Sequence, residues 1–503
     1  MPANSLRRPE QVHISYGDTS SEMVVMWSTH KNVTSRVEFG ETADVLHMFK
    51  ESQVIRLTND AWNAAPFIHR AELKGLQPGQ WYSYRVVCID EDNVSTSQEF
   101  SFHTTEYNIT RPLSFIIFGD MGDAEGQMTI NRVTQEVASK KYEAVWHIGD
   151  FAYNLYTDGG KVGDSFMNKI ESIAANIPYM TIPGNHEIGG DFSHYRTRFS
   201  QPNTPWPTQL DSMWYSYDVG LVHFIAYSTE VYFTYNQNYV CEQFYWLLND
   251  LEQANRNRHL RPWVVAMGHR PMYCSNNNRD DCSQHSWIPN GWVKRGLEDL
   301  FHAQGVDVII EAHEHSYERL WPVFDGRVMS EDYRNPPAPI HIISGAAGSR
   351  EGNDPMESAD ESWSAFRHSI FHDTTYGHLV VHNHTHLFWD QVRSKDGHVF
   401  DQIWIVQKIH GPFVRNLNCS GDGYHSSCYC PPPFHFWTIF IAIAAVFSFF
   451  LLTSILCCVR RCCRRRSAYA HTLLLTDDDD SPKSPGRCVG CWDVGNRKLE
   501  HML

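Results

Sequence analysis

Five times between Leu113 and His315 the sequence runs an apolar stretch into a short polar turn. Phe115 to Phe118 precedes Gly119 and Asp120, Ala144 to Ile148 precedes Gly149 and Asp150, and Tyr179 to Ile182 precedes Gly184, Asn185 and His186. Trp263 to Met267 leads into Gly268 and His269, and Val306 to Ile310 into His313 and His315. Apolar runs of this length, bounded by turn residues, read as strands, and the helical stretches between them argue for a layered α/β domain. In such a domain the side chains that follow the strands gather at one end, where active sites lie. A chain of 503 residues exceeds one compact domain, and with 42% hydrophobic residues it has material for large cores.

The residues delivered by these turns share a chemistry. Asp120, Asp150, Tyr153, Asn185, His269, His313 and His315 are oxygen and imidazole donors. Taken singly, a Gly-Asp or Gly-Asn turn is ordinary loop structure. All five turns in order, each carrying donors after an apolar strand, predict a site for two metal ions. His313 and His315, two residues apart at a strand end, project to one side. Neighbouring glycines let the backbone turn sharply beside the donors. Two ions roughly 3.5–4 Å apart orient an ester, neutralise its charge and generate hydroxide near neutral pH, which is the chemistry of phosphoester hydrolysis.

The motifs G-D-M-G at Gly119, G-D-F-A-Y at Gly149, G-N-H-E at Gly184, the His269 segment and A-H-E-H at Ala312 resemble the calcineurin-like metallophosphoesterase signature. Tyr153, in G-D-x-x-Y, narrows the resemblance to the purple acid phosphatases, over roughly Pro9 to Val406. It implies a β-sandwich metallophosphoesterase core flanked by helices, with the catalytic domain over 111–335 and its C-terminal part over 336–408. It also implies that Asp120, Tyr153 and His315 bind Fe(III), that Asn185, His269 and His313 bind a divalent ion (zinc, manganese or ferrous iron), and that Asp150 bridges them. Tyrosinate and carboxylates favour the harder ion and imidazoles the softer one. In the family a metal-bound hydroxide attacks a phosphate monoester in line, with His186 as the candidate acid for the leaving group.

Two departures stand out: Ala266 replaces the valine of V-x-x-H, and Ala312 the glycine of G-H-x-H. Neither removes a ligand. Glu187 reads either as a support beside the ligands or as a solvent-exposed loop carboxylate, and His285 is the one histidine in the loop Tyr273 to Trp287. The competing functions are a phosphodiesterase or protein phosphatase of the same superfamily, which Tyr153 argues against, and a non-catalytic membrane receptor, which the intact ligand set argues against.

Before the catalytic region, residues 9–106 show short alternating runs, such as Met23 to Trp27 and Trp81 to Val87. They predict an all-β sandwich, and Leu76-Gln77-Pro78-Gly79 leading into Tyr82, Tyr84 and Arg85 resembles a fibronectin type III-like corner. At the other end, a cysteine-rich stalk over 409–435 precedes an uncharged apolar stretch, 436–459, long enough for a transmembrane helix. Arg460, Arg461, Arg464, Arg465 and Arg466 follow it, which puts the 460–503 tail in the cytosol and the catalytic region outside or in a lumen. Asp477 to Asp480 and the Ser-Pro steps at Ser481 and Ser484 mark that tail as disordered and phosphorylatable.

Sequons at Asn32, Asn93, Asn108, Asn383 and Asn418 all precede the apolar stretch, consistent with this single-pass topology. Cys274 and Cys282 suit a disulfide, Cys419, Cys428 and Cys430 crowd the stalk, and Cys457, Cys458, Cys462 and Cys463 suit either palmitoylation or a structural role. The stretch after Met1 has no apolar leader, so export implies a start-truncated or processed form. A formal charge of −16 disfavours nucleic acid as a partner. Oligomeric state leaves no trace in the sequence.

Overall fold

A computed structural model describes residues 8–57, 65–91, 93–106, 111–233, 238–276, 282, 297–356, 361–368 and 373–413. The described residues gather into one compact unit. The expected transmembrane segment, cytosolic tail, stalk cysteines and His285 lie outside the described residues. Among the described residues no helix is long and apolar enough to cross a membrane.

The strands from Glu10 to His103 form a two-sheet all-β sandwich. One sheet orders Glu10–Tyr16, Met23–Thr29, Phe67–Leu73 and Gln53–Arg56. The other orders Met48–Glu51, Thr34–Gly40, Trp81–Asp90 and Asn93–Thr96, with Phe100–His103 also pairing the long Trp81–Asp90 strand. Alternation along that strand decides which face is the core: Tyr82, Tyr84 and Val86 are buried against Val25, Trp27 and Phe102, while Trp81 and Arg85 are exposed.

Two further sheets face each other in the catalytic region. The six-stranded sheet runs Tyr179–Ile182, Ala144–Ile148, Leu113–Phe118, Thr375–Asn383, His386–Arg393, Val399–Val406. Its first three strands are parallel, and the last three form an antiparallel meander attached to the side of Leu113–Phe118. The apolar run from His378 to Trp389 spans the turn of a hairpin in that meander. The seven-stranded sheet centres on four parallel strands, Val222–Ala226, Trp263–Met267, Val308–Glu311 and Ile340–Ser344.

Continuous apolar strands are what a sheet covered on both faces requires. Phe115 and Ile117 point inward to Phe224 and Trp146, whereas Ile116 and Phe118 point outward under the helices Gln127–Val137 and Lys161–Ala174. On the opposite sheet Val265 and Met267 face inward, while Val264 and Ala266 lie beneath the helix Asn238–Arg256. Phe115 meets Phe224 edge-on at 4.8 Å and Trp146 lies 5.1 Å from the same ring, so aromatic contacts seal the two sheets together. The result is a helix–sheet–sheet–helix stack. Ala266 is buried completely at its outward position, in the cluster beneath that helix.

The N-terminal sandwich is packed into this stack. Tyr16 stacks on Tyr217 at 4.5 Å, Tyr84 donates its hydroxyl to Ala175 O at 2.7 Å, and Val12 N–H donates to Glu171 Oε2 at 2.8 Å. Cys274 and Cys282 are joined by a disulfide.

On the seven-stranded sheet His223 is held between Asp218 (2.7 Å) and Asp250 (2.8 Å) of the helix Asn238–Arg256. Burial pushes this imidazole down, but the two hydrogen-bonded carboxylates outweigh it and hold it up at about 9. A group raised in the folded state contributes stability that is complete below its unfolded value of about 6.5 and disappears as pH climbs through the folded value. Urea unfolding should therefore show wild type losing on the order of 2–3 kcal/mol between pH 6 and pH 10, Asp218 being partly solvated. The His223→Gln chain should lose less over the same interval, and equal losses would remove His223 from the account.

Candidate metal centre

All seven donors lie just beyond the C-terminal ends of parallel strands, three turns from the six-stranded sheet and two from the seven-stranded one. Asp120 follows Leu113–Phe118, Asp150 and Tyr153 follow Ala144–Ile148, and Asn185 follows Tyr179–Ile182. His269 follows Trp263–Met267, and His313 and His315 follow Val308–Glu311. The backbone is forced to reach them: Asp120, Asp150, Tyr153 and His313 take φ values of 63°, 59°, 47° and 65°, in the left-handed region that non-glycine residues avoid. Such conformations cost on the order of 1–3 kcal/mol each and persist where surrounding structure imposes them.

The donors fall into two groups. Tyr153 Oη lies 2.8 Å from His315 Nε2 and 3.2 Å from Asp120 Oδ1. In the other group, Asp150, His269 and His313 each present a ligand atom within 4.8 Å of the others, and His269 Nε2 approaches Asn185 Oδ1 at 3.0 Å. Asp120 Oδ2 links the groups by accepting His313 N–H at 2.9 Å. Gly184 makes the approach possible, because a Cβ there would stand 2.2 Å from Asp150 Oδ1. Ala312 is accommodated from the other side: its Cβ packs where Gly119 has none, 2.4 Å from the position a side chain on Gly119 would take.

Hydrogen bonding tests whether a cation suits this space. His269 Nδ1 lies 2.9 Å from the Ile148 carbonyl, which only accepts, so Nδ1 carries the proton and neutral Nε2 is a lone pair. That lone pair faces Asn185 Oδ1 and, at 3.3 Å, Asp150 Oδ2, which is buried with no hydrogen-bond donor on it. Electron-rich atoms aimed at one another in a dry site call for positive charge between them. Without metal a proton takes that place. Burial disfavours the imidazolium of His269, but Asp150 and Asp120 outweigh it and hold the ring up at about 10. His315 is likewise raised to about 9, against burial, by Asp120. The Tyr153 phenol is pushed up by burial and then by Asp120, so its ionisation depends on a cation beside it. The donor set fits a two-metal centre.

Around the donors stands a supporting shell, of which the sequence motifs mark Glu187 and His186 alone. Glu187 is buried, not solvent-exposed: its carboxylate accepts the backbone N–H groups of Asp150 (2.9 Å), Phe151 (2.9 Å) and Gly184 (2.8 Å), tying two ligand turns together. Asp354 Oδ2 accepts His315 N–H at 2.6 Å. Arg270 lays its guanidinium 3.9 Å over Phe233, donates to Glu230 at 2.9 Å and brings Nη1 within 3.5 Å of His313 Nε2. His186 lies at the more open side, Nε2 3.8 Å from Asp150 Oδ2 and 3.6 Å from Glu351 Oε1. Arg270 is signalled in the sequence only by its adjacency to His269, and Asp354 by nothing.

Comparison with known proteins agrees with this geometry. A profile for calcineurin-like phosphoesterases matches residues 113–317, one for the purple acid phosphatase N-terminal domain matches 9–104, and one for the iron/zinc purple acid phosphatase-like protein C-terminal region matches 338–402. Acid phosphatase type 7 of Danio rerio is 42% identical over 423 residues, covering 80% of this chain and 93% of that protein. The chain belongs to the purple acid phosphatase family. The Homo sapiens acid phosphatase type 7 is 40% identical over 415 residues, covering 80% of this chain and 92% of that protein. The purple acid phosphatase PPD1 of yellow lupin shares the fold at a TM-score of 0.68 and 23% identity, covering 80% of this chain and 75% of the lupin chain.

Replacing Glu187 by alanine strands three backbone N–H groups, at about 1–3 kcal/mol each. The Glu187→Ala chain is expected to lose at least about 3 kcal/mol in urea unfolding and to retain less metal after dialysis. A midpoint equal to wild type would mean that water replaces the carboxylate.

Proposed function

We propose that this phosphatase hydrolyses phosphate monoesters at a dinuclear centre, with Fe(III) on Asp120, Tyr153 and His315, a divalent ion on Asn185, His269 and His313, and Asp150 shared between them. The observation that carries this reading is the crowding of His269 Nε2 by Asn185 Oδ1 at 3.0 Å and Asp150 Oδ2 at 3.3 Å, the latter a buried carboxylate oxygen with no hydrogen-bond partner. Membership of the family and the likeness to the acid phosphatases type 7 support the enzyme class.

When bound, the ion pair supplies charge neutralisation for the ester and activation of water near neutral pH. The protein does the rest. The Ile148 carbonyl fixes the His269 ring, the backbone of His313 fixes Asp120, and Glu187 fixes the turns that carry Asp150 and Asn185. His186 Nε2, on the open side, is placed to hand a proton to the departing alkoxide. The choice among zinc, manganese and ferrous iron for the second ion is one for metal analysis.

The membrane part of the reading rests on sequence: the apolar 436–459 stretch followed by arginines puts the phosphatase region on the non-cytosolic side. Protease added to sealed microsomes should spare that region and trim the tail; digestion of the phosphatase region instead would reverse the topology.

The decisive experiment is the visible spectrum of the purified protein together with turnover of an aryl phosphate, for wild type and Tyr153→Phe. A charge-transfer band present in wild type and lost in the variant, with wild-type turnover, is the expected result. A colourless active protein would discard iron and keep the phosphatase. A fully metallated protein with no turnover would overturn the catalytic reading in favour of a receptor.

A further inference from the structure

His186 is useful as an acid only if its Nε2 faces the substrate side, and an imidazole ring turns freely about its side-chain bonds unless something holds the other nitrogen. Asn154 does so: its Oδ1 lies 2.7 Å from His186 Nδ1. An amide oxygen only accepts, so Nδ1 carries the proton and Nε2 is left to exchange its own. Neither partner is free to drift. Asn154 sits between Tyr153 and Leu155, which are 2% and 1% exposed, and its carbonyl accepts Thr157 N–H at 3.1 Å. His186 has its backbone N–H on Asp150 Oδ1 at 2.9 Å, and its ring leans on that of Tyr153 at 4.5 Å between centroids.

We propose that Asn154 is a positioning residue for leaving-group protonation, fixing the tautomer and direction of the His186 ring from the turn that carries Tyr153. The inference rests on the phosphatase reading and deepens it. After Nε2–H passes to the leaving oxygen, the remaining proton stays on Nδ1 in its bond to Asn154, so the ring neither flips nor changes tautomer between turnovers. A carboxylate at this position would hold the ring equally well and add a charge beside it. The neutral amide supplies orientation alone, in a site already crowded with Asp120 and Asp150.

The test uses the full-length protein, wild type, Asn154→Leu and Asn154→Asp. Leucine matches the amide in size and accepts no hydrogen bond, while aspartate keeps the acceptor. Leaving groups that need a proton should feel the loss most, so kcat for an alkyl phosphate is expected to fall 10–100-fold in Asn154→Leu, the range typical of such supporting partners. The fall for 4-nitrophenyl phosphate, whose leaving group needs little protonation, is expected to be at least tenfold smaller. Asn154→Asp should recover most of the alkyl activity. In parallel, nitrogen-15 spectra of histidine-labelled metal-free protein, with the His186 signal assigned by its absence in His186→Asn, should show an Nδ1–H tautomer in wild type that is lost in Asn154→Leu. Equal losses on both esters, or an Nε2–H tautomer in wild type, would overturn the inference. Should wild type turn over neither ester, the phosphatase reading fails, and the tautomer measurement alone decides the role of Asn154.

Discussion

Mutual repulsion among lone pairs governs this molecule. Asp120, Asp150, Asn185, His269 and His313 are driven by the fold into one largely buried space, where Asp150 Oδ2 and Asn185 Oδ1 crowd His269 Nε2 and backbone N–H groups satisfy only part of the remaining oxygens. A protein holds such an arrangement only by over-determining it. Left-handed backbone at four donors, a buried Glu187 spanning two turns and glycines with no room for a methyl group are three forms of the same restraint. The strain is acceptable because positive charge at the centre, from protons or from metal, relieves it.

The stack of layers makes that restraint possible. Each ligand turn springs from a strand buried on both faces, so its starting point hardly moves, and the turns come from two different sheets sealed by Phe115, Trp146 and Phe224. The site thus spans a joint whose rigidity is that of the hydrophobic core, not of the loops. Ala312 shows how tightly the joint is shared: the methyl group it adds on one sheet occupies the room left by a glycine on the other.

Much of this could be read from the chain alone because the physics that buries a strand twice also writes an unbroken apolar run, and the turn that follows must break it. Asp120, Asp150, Tyr153, Asn185, His269, His313, His315 and His186 all announce themselves in that way, and the structure brings all eight together. What the pattern does not carry is the pairing of strands across the joint, or the run from His378 to Trp389 folding into a hairpin. Nor does it separate a carboxylate that caps three backbone N–H groups from one that faces water. Glu187 looks the same in either role until Asp150, Phe151 and Gly184 are placed around it. Asn154 is silent for a similar reason: its partner lies 32 residues away, and nothing periodic connects them.

The N-terminal sandwich contributes no metal donor, yet three of its hydrogen bonds run along a single helix. Along the helix Lys161–Ala174, Gln11 bonds Asp164, Val12 bonds Glu171, and Tyr84 bonds Ala175 just beyond its end. That helix lies in the chain between the turn bearing Tyr153 and the strand Tyr179–Ile182 that leads to Asn185. Those bonds splint the helix against a neighbouring domain, outside the catalytic layers. In mechanical terms the sandwich is a brace: it lends the catalytic layers no ligand, only a second body for the helix beside the ligand turns to lean on.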